Sequence, residues 1–439
     1  MLRTGSFDTR YSLKSEILTE FEVLICGIQS KDCFCTNLQP FNEKREPEIF
    51  HCNSMIIEPA QRTRQTSEYY FSVKLAEVRK LIAEGHDVIN LGIGNPDMAP
   101  SEATLNALNQ SVQQPQAHGY QSYVGIPAFR QAIAEYYAHT YGVTLDPSTE
   151  ILPLIGSKEG ITHISLTFLD PGDEVLVPEL GYPAYRAVSQ MVGAVVKEYP
   201  LRENQGWQPD WEAMAELVTP RTKIMWLNYP HMPTGAPATP ELFEQAVVFA
   251  QKHKILLCHD NPYSLVLNKK PPISLLSTQG AKEVAIELNS MSKSHNMAGW
   301  RLGWMAAAKP YVDAVLKIKS NVDSGMFQGI QEAAIAALRN SDSWHQQRNA
   351  VYEGRLEAAQ ALLAALGCTW DKSQEGMFLW GKLPETTESA EMLINALLTE
   401  KYVFIAPGFI FGPKGNRYVR LSLCTPKERI WEAVERIKR

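Results

Sequence analysis

Near the middle of the chain, Ser290-Met291-Ser292-Lys293 closes an apolar run on a lysine beside two serines. Eight residues on, Arg301 sits within Gly299-Trp300-Arg301-Leu302-Gly303. Upstream, a second apolar run ends on a carboxylate, Leu256-Leu257-Cys258-His259-Asp260, with Tyr263 three residues later. Earlier still, Ile151-Leu152-Pro153-Leu154-Ile155 runs into Gly156-Ser157-Lys158-Glu159-Gly160, and Tyr182 stands in Gly181-Tyr182-Pro183. A strand, a glycine turn and a helix start aim free backbone N–H groups at one point, which makes a phosphate seat. Each feature alone has a plain explanation. The glycine turn can be a capped helix, the carboxylate a cap, and the lysine a solvated surface residue. Their order along the chain is what asks for chemistry: phosphate seat, aromatic, Asp-x-x-Tyr, Ser-x-Ser-Lys, Arg.

Pyridoxal phosphate needs such a set. A lysine amine, here Lys293, holds its aldehyde as a Schiff base. A carboxylate, Asp260, keeps the pyridine nitrogen protonated so that the ring accepts electrons. A phenol (Tyr263) bonds the ring hydroxyl and an aromatic (Tyr182) stacks on the ring. Serines, Arg301 and a helix start hold the phosphate dianion.

The elements that must position these residues alternate. Strands are expected at 150–155, 174–177, 223–228, 255–260, 284–290 and 301–307, with helices at 128–141, 160–169, 240–253 and 310–320. That alternation predicts an α/β fold with a mostly parallel sheet covered on both faces. Ligands then sit at the carboxyl ends of the strands, where the polar residues above fall. Two long helical patterns around short strands near 376–380 and 417–422 predict a second, smaller α+β layer. A helical face is expected from Tyr70, Val73, Leu75, Val78 and Leu81.

The chain has 439 residues, 45% hydrophobic and 21% charged, with a formal net charge of −6, an ordinary globular composition. Mild acidity argues against nucleic acid or an anionic membrane as the main partner. No run is apolar enough to span a bilayer, and the N-terminal stretch lacks a signal-peptide pattern, so a cytoplasmic protein is expected. Cys26, Cys33, Cys35, Cys52 and His51 cluster early, but their spacing matches no standard zinc pattern, and no metal is expected. Residues 1–54 show no core pattern and are expected to be an extension or to precede a natural start at Met55. Beyond them, the expected division is 55–105 as arm and part of the small domain, 106–325 as the cofactor-binding domain, and 326–439 as the rest of the small domain.

From about Ser67 to the C-terminus the sequence resembles the class I/II aminotransferases, pyridoxal-phosphate enzymes of fold type I. Tyr69-Tyr70-Phe71 and Asn321-Val322-Asp323-Ser324-Gly325 place it nearest the LL-diaminopimelate and aspartate branch. The resemblance implies a large domain with a mostly parallel sheet and a smaller α+β domain built from both chain ends. It implies a homodimer in which Tyr120 reaches the partner's cofactor phosphate, and it puts the phosphate on Ser157, Lys158, Ser290, Ser292 and Arg301. It puts substrate on Gly94, on Arg420 through the α-carboxylate, and on Tyr70. One position departs. The family's Asn before Pro-Thr-Gly, which contacts the ring hydroxyl, is Met232 here, and a thioether cannot donate. His295 is expected to be a loop residue, not a catalytic one. The activity implied is transfer of an amino group between an L-amino acid and a 2-oxo acid. The alternative is a carbon–sulfur β-lyase on the same fold, since cofactor residues are shared and reaction choice depends on finer orientation. A cofactor-binding regulator is disfavoured because the extra N-terminal residues carry no helix-turn-helix pattern.

Overall fold

The apolar runs pair into one seven-stranded sheet in a computed structural model that describes residues 57–65 and 70–439. In chain order the strands are β1 (Ile151–Leu154), β2 (Glu174–Pro178), β3 (Val195–Tyr199), β4 (Thr222–Leu227), β5 (Leu256–Asn261), β6 (Ala285–Ser290) and β7 (Gly303–Ala307). In space they run β1-β7-β6-β5-β4-β2-β3. Strand β7 is antiparallel to both neighbours, and every other pair is parallel. Parallel neighbours need crossovers, and helices supply them on both faces, so β1, β2 and β6 are buried along their whole length. The sequence reading omits β3. It lies at the sheet edge with Val195 exposed, and Lys197 and Glu198 interrupt any apolar run.

Local signals start and stop the helices. Thr239 caps the helix Pro240–His253, its hydroxyl accepting from Leu242 N at 3.2 Å, with proline in the first turn. The helix Ser157–Phe168 begins three residues before the expected 160. Its polar first turn reads as loop in sequence, yet Gly156 at φ 84° turns the chain directly into it. The helix Tyr70–Ala83 buries Phe71 and Val78, with Leu75 half-buried, whereas Val73 is 48% exposed. Spacing of i, i+4, i+7 from Phe71 therefore sets its inner face, a correction to the face drawn through Tyr70 and Val73.

The smaller layer is an antiparallel sheet of β8 (Phe378–Lys382), β9 (Ala406–Pro407) and β10 (Tyr418–Ser422), with β10 central. Both neighbours place a residue opposite Arg420 of β10, namely Trp380 and Ala406. The N-terminal side of the chain is stitched into this layer. Ile89–Asn90 pairs in parallel with Val403–Phe404, and Ser422 N donates to Leu91 O at 2.8 Å. That pairing brings Gly92 to Gly94 beside the Arg420 strand. The fold is thus an α/β large layer with a smaller α+β layer built from both chain ends. Residues Pro59–Arg439 form one compact unit. The boundary expected at residue 54, the start at Met55 and the early cysteine cluster lie outside the described residues. Among the described residues, no helix is long and apolar enough to cross a membrane.

Candidate active site

The carboxyl ends of β1, β5 and β6 open into a cavity of about 320 Å³ that the smaller layer closes from the other side. At one end, the chain leaves β1 through Gly156, and Arg301 packs directly on it. At φ 84° Gly156 holds a backbone conformation that side chains rarely adopt, and a Cβ there would also press on the Arg301 guanidinium. Arg301 itself is left-handed at φ 57°, a conformation costing a non-glycine residue about 1–3 kcal/mol. Its guanidinium donates to Ala298 O at 3.0 Å and reaches Ser292 Oγ at 3.4 Å. Ser290 caps the short turn before the lysine, its hydroxyl accepting from Ser292 N at 3.2 Å. One arginine, two serine hydroxyls and a helix start therefore converge where Ser157 and Lys158 also line the cavity.

Asp260 stands near the end of β5, 4% exposed. Its Oδ2 accepts from the Tyr185 hydroxyl at 2.9 Å, and its Oδ1 has no partner within hydrogen-bond geometry. Burial pushes this carboxyl up to about 6, against the Tyr185 hydroxyl and the His259 ring, which pull it down. A layer further back, Glu287 meets His259 Nδ1 at 2.9 Å and accepts from Tyr137, Ser274 and Leu275 N, a buried carboxylate with its lone pairs satisfied. Tyr182 lies edge-on to Tyr185 at 5.7 Å, and Tyr185 stacks on Trp226 at 5.1 Å. Tyr263, its hydroxyl pKa raised by burial, meets Phe378 edge-on at 5.8 Å.

Lys293 donates to the carbonyl of Gly94. Burial lowers its ammonium to about 8, with a smaller push the same way from Arg420 and Arg301 against Cys424. Gly94 is tight as well, since a Cβ there would sit 2.2 Å from Phe378 Cζ. Met232 is buried, and its N–H donates to Asn228 Oδ1 at 2.9 Å while Asn228 Nδ2 donates to Asp260 O at 2.7 Å. The Asn228 amide thus ties the loop to β5. Met232 Sδ lies 3.2 Å from Arg420 Nη1, and Arg420 Nη2 donates to Gly92 O at 2.7 Å.

The cavity gathers Gly94, Ser157, Lys158, Tyr182, Asp260, Tyr263, Ser290, Ser292, Lys293, Arg301 and Arg420 from across the chain. Two expected residues are elsewhere. Tyr120 is 95% exposed and does not line it. Tyr70 turns its ring edge-on to Phe409 at 5.3 Å, and Phe71, one residue round the helix, takes the cavity-facing position. His295 is buried against Trp344, off the cavity, with Nδ1 2.8 Å from Ser294 Oγ. Sequence reasoning missed Tyr185, although its i+3 spacing from Tyr182 at a helix start is a usable signal. Phe378 and Phe411, also in the lining, come from distant segments with no local mark.

Comparison with known proteins agrees with this geometry. The family model described as aminotransferase class I and II matches residues 86–437. An LL-diaminopimelate aminotransferase of Dehalococcoides mccartyi is 40% identical over 382 residues, covering 86% of this chain and 97% of the relative. The solved structure of substrate-bound BacF from Bacillus subtilis superposes with a TM-score of 0.83 at 35% identity, covering 88% of this chain and 98% of that one. Aspartate aminotransferase from Thermus thermophilus with maleate gives a TM-score of 0.81 at 26% identity, covering 87% and 99%.

Proposed function

The chain belongs to the class I and II aminotransferases and is an enzyme of amino-group transfer, and from that premise we propose that pyridoxal phosphate is its cofactor and Lys293 the residue that binds it. The observation that carries this reading is Asp260, a buried strand-end carboxylate with one oxygen unpartnered, in the same cavity as a buried lysine. A protonated ring nitrogen would satisfy that oxygen. The glycine-tight turn under Arg301, with the Ser157 helix start and Ser292, fits the phosphate. When bound, pyridoxal phosphate supplies an aldehyde that condenses with amines and a ring that accepts an electron pair.

The residues divide the remaining work. Lys293, its ammonium held down to about 8, is in part a free amine at neutral pH and can move the proton of the substrate α-carbon. Asp260 holds the proton on the ring nitrogen, Tyr182 covers the ring face, and Tyr263 donates to the ring oxygen. Arg420 takes the α-carboxylate through its planar fork, beside Gly94. Amino donor and 2-oxo acid occupy the same cavity in turn. Tyr120 is exposed, as are Tyr123, Val322 and Phe327 on segments joined by the Gln121–Gly325 bridge, and in this reading it belongs to a two-fold dimer interface, where it serves the partner's phosphate. Among the described residues, Cys258, Cys368 and Cys424 are free and buried, which supports a reading in which the protein works in a reducing compartment such as the cytoplasm.

Two experiments test this. Holoenzyme given an amino acid alone should release the matching 2-oxo acid and retain the amino group until a second oxo acid is added. Release of ammonia with pyruvate would overturn the reading. Mixing Tyr120→Phe with Lys293→Ala subunits should restore activity, because hybrids concentrate both defects in one site and leave the other intact. Hybrids no more active than the two parents would refute the shared site.

A further inference from the structure

Besides Arg420, four charged residues line the cavity among the described residues. Lys158 and Arg301 lie with the serines at the phosphate end, Lys293 reaches Gly94 O, and Asp260, the one carboxylate in the lining among the described residues, faces the expected ring nitrogen. Phe71, Met232, Phe378 and Phe411 of the lining stand against Arg420, and Leu75 and Ile93 add further apolar lining. The guanidinium carbon sits 3.9 Å from the Phe378 ring centre, 4.6 Å from that of Phe411 and 5.7 Å from that of Phe71. Rings on three sides hold this cation in a low-dielectric collar and leave apolar surface next to it. Past the α-carboxylate, then, a substrate side chain meets rings and aliphatic groups.

The partner's expected contribution does not alter that balance. The stretch that would arrive with Tyr120, residues 119–129, contains no acidic or basic residue. Gln121 bridges Gly325 on the adjoining segment, whose Asp323 is already paired with Lys319 at 2.7 Å. LL-Diaminopimelate ends its side chain in a second ammonium and a second carboxylate. Aspartate ends in a second carboxylate. Either would be buried among these rings without an opposite charge past Arg420 among the described residues, which disfavours it.

Resting on the aminotransfer reading with the α-carboxylate on Arg420, we propose that the amino donor has a large uncharged side chain, aromatic or branched aliphatic. Phe71 and Leu75, one helical turn apart on Tyr70–Ala83, and Ile93 in the Gly92–Gly94 loop are its specificity-determining residues. This separates the chain in substrate class from the relatives named for LL-diaminopimelate.

The test is a single-turnover comparison of holoenzyme with L-phenylalanine, L-leucine, L-aspartate and LL-diaminopimelate, each alone, reading both the cofactor absorbance and the 2-oxo acid released. Phenylalanine or leucine should exceed both charged donors in kcat/KM by at least about 100-fold. Leu75→Arg, which adds a cation beside the collar, should narrow that ratio by raising aspartate and lowering phenylalanine. Aspartate or LL-diaminopimelate reacting as fast as the apolar donors overturns the proposal and leaves the aminotransfer reading standing. A Leu75→Arg enzyme that is folded, binds cofactor and keeps the parental ratio removes Leu75 from the specificity set. Release of no 2-oxo acid from any donor overturns the aminotransfer reading itself.

Discussion

At the phosphate end of the cavity, hydroxyls, a lysine and an arginine come from the ends of β1 and β6 and the short turns after them, with Gly156 at φ 84° turning the chain under Arg301. At the Arg420 end, one guanidinium is collared by rings from residues 71, 378 and 411. The first end is polar, and adjoining strand ends build it. The second is apolar and assembled from both chain ends through the smaller sheet. In the proposed reading, the difference teaches that the groups for the cofactor lie on the large sheet, while the groups that meet the substrate, the α-carboxylate fork of Arg420 included, lie where two layers meet.

If that division is real, damage at the sheet end should fall on every donor alike. Lys293→Ala is expected to lose about 10²–10⁴-fold in turnover with all donors equally, measured in single-turnover reactions. Unequal losses would break the division. In the unmutated apoenzyme, uptake of pyridoxal phosphate should accelerate with pH through about 8, because the neutral amine is the nucleophile and burial has lowered its pKa.

Arg420→Lys keeps the charge but loses the planar fork. A hydrogen bond to a charged group is worth about 1.5–3 kcal/mol, so kcat/KM should fall about 10- to 150-fold, chiefly in KM. An effect confined to kcat would move Arg420 out of substrate binding.

Asp260→Asn tests the sheet end through stability. The carboxyl titrates near its ordinary 3.8 when unfolded and near about 6 in the fold, so protonation favours the folded state. That favour is full below the unfolded value and is lost as pH rises through about 6. The shift corresponds to about 3 kcal/mol. The apo variant should therefore melt higher than the parent apoenzyme at pH 8, with the gap closing toward pH 4, and it should bind cofactor more weakly. Equal melting at both pH values would mean that the carboxyl is not strained.

Met232 joins the two ends, touching Arg420 and standing where the resemblance to the family implies an asparagine amide for the ring oxygen. Asn228 is committed to Asp260 O and Met232 N, so it ties the loop down beside the vacant donor role. Met232→Asn should restore that donor and move the absorbance titration of the holoenzyme to lower pH, by about one to two units. A midpoint that stays or rises would show the ring oxygen already satisfied.

What the chain alone determined is the α/β alternation, the order of the motifs and the residues at the strand ends. Each of these is written over a few consecutive residues: an apolar run, a glycine turn, a serine before a lysine. Only the tertiary structure decided the rest. The start of Ser157–Phe168, the edge strand with Lys197 and Glu198, and the turning of Phe71 into the cavity depend on packing against elements remote in sequence. Tyr185 joined Asp260 because a helix start met a strand end. The aromatic collar needed residues more than 300 apart brought together by the parallel pairing of Ile89–Asn90 with Val403–Phe404. Short-range pattern records which groups a strand end presents. It holds no record of which distant apolar faces close over them, because burial is a property of the assembled surfaces.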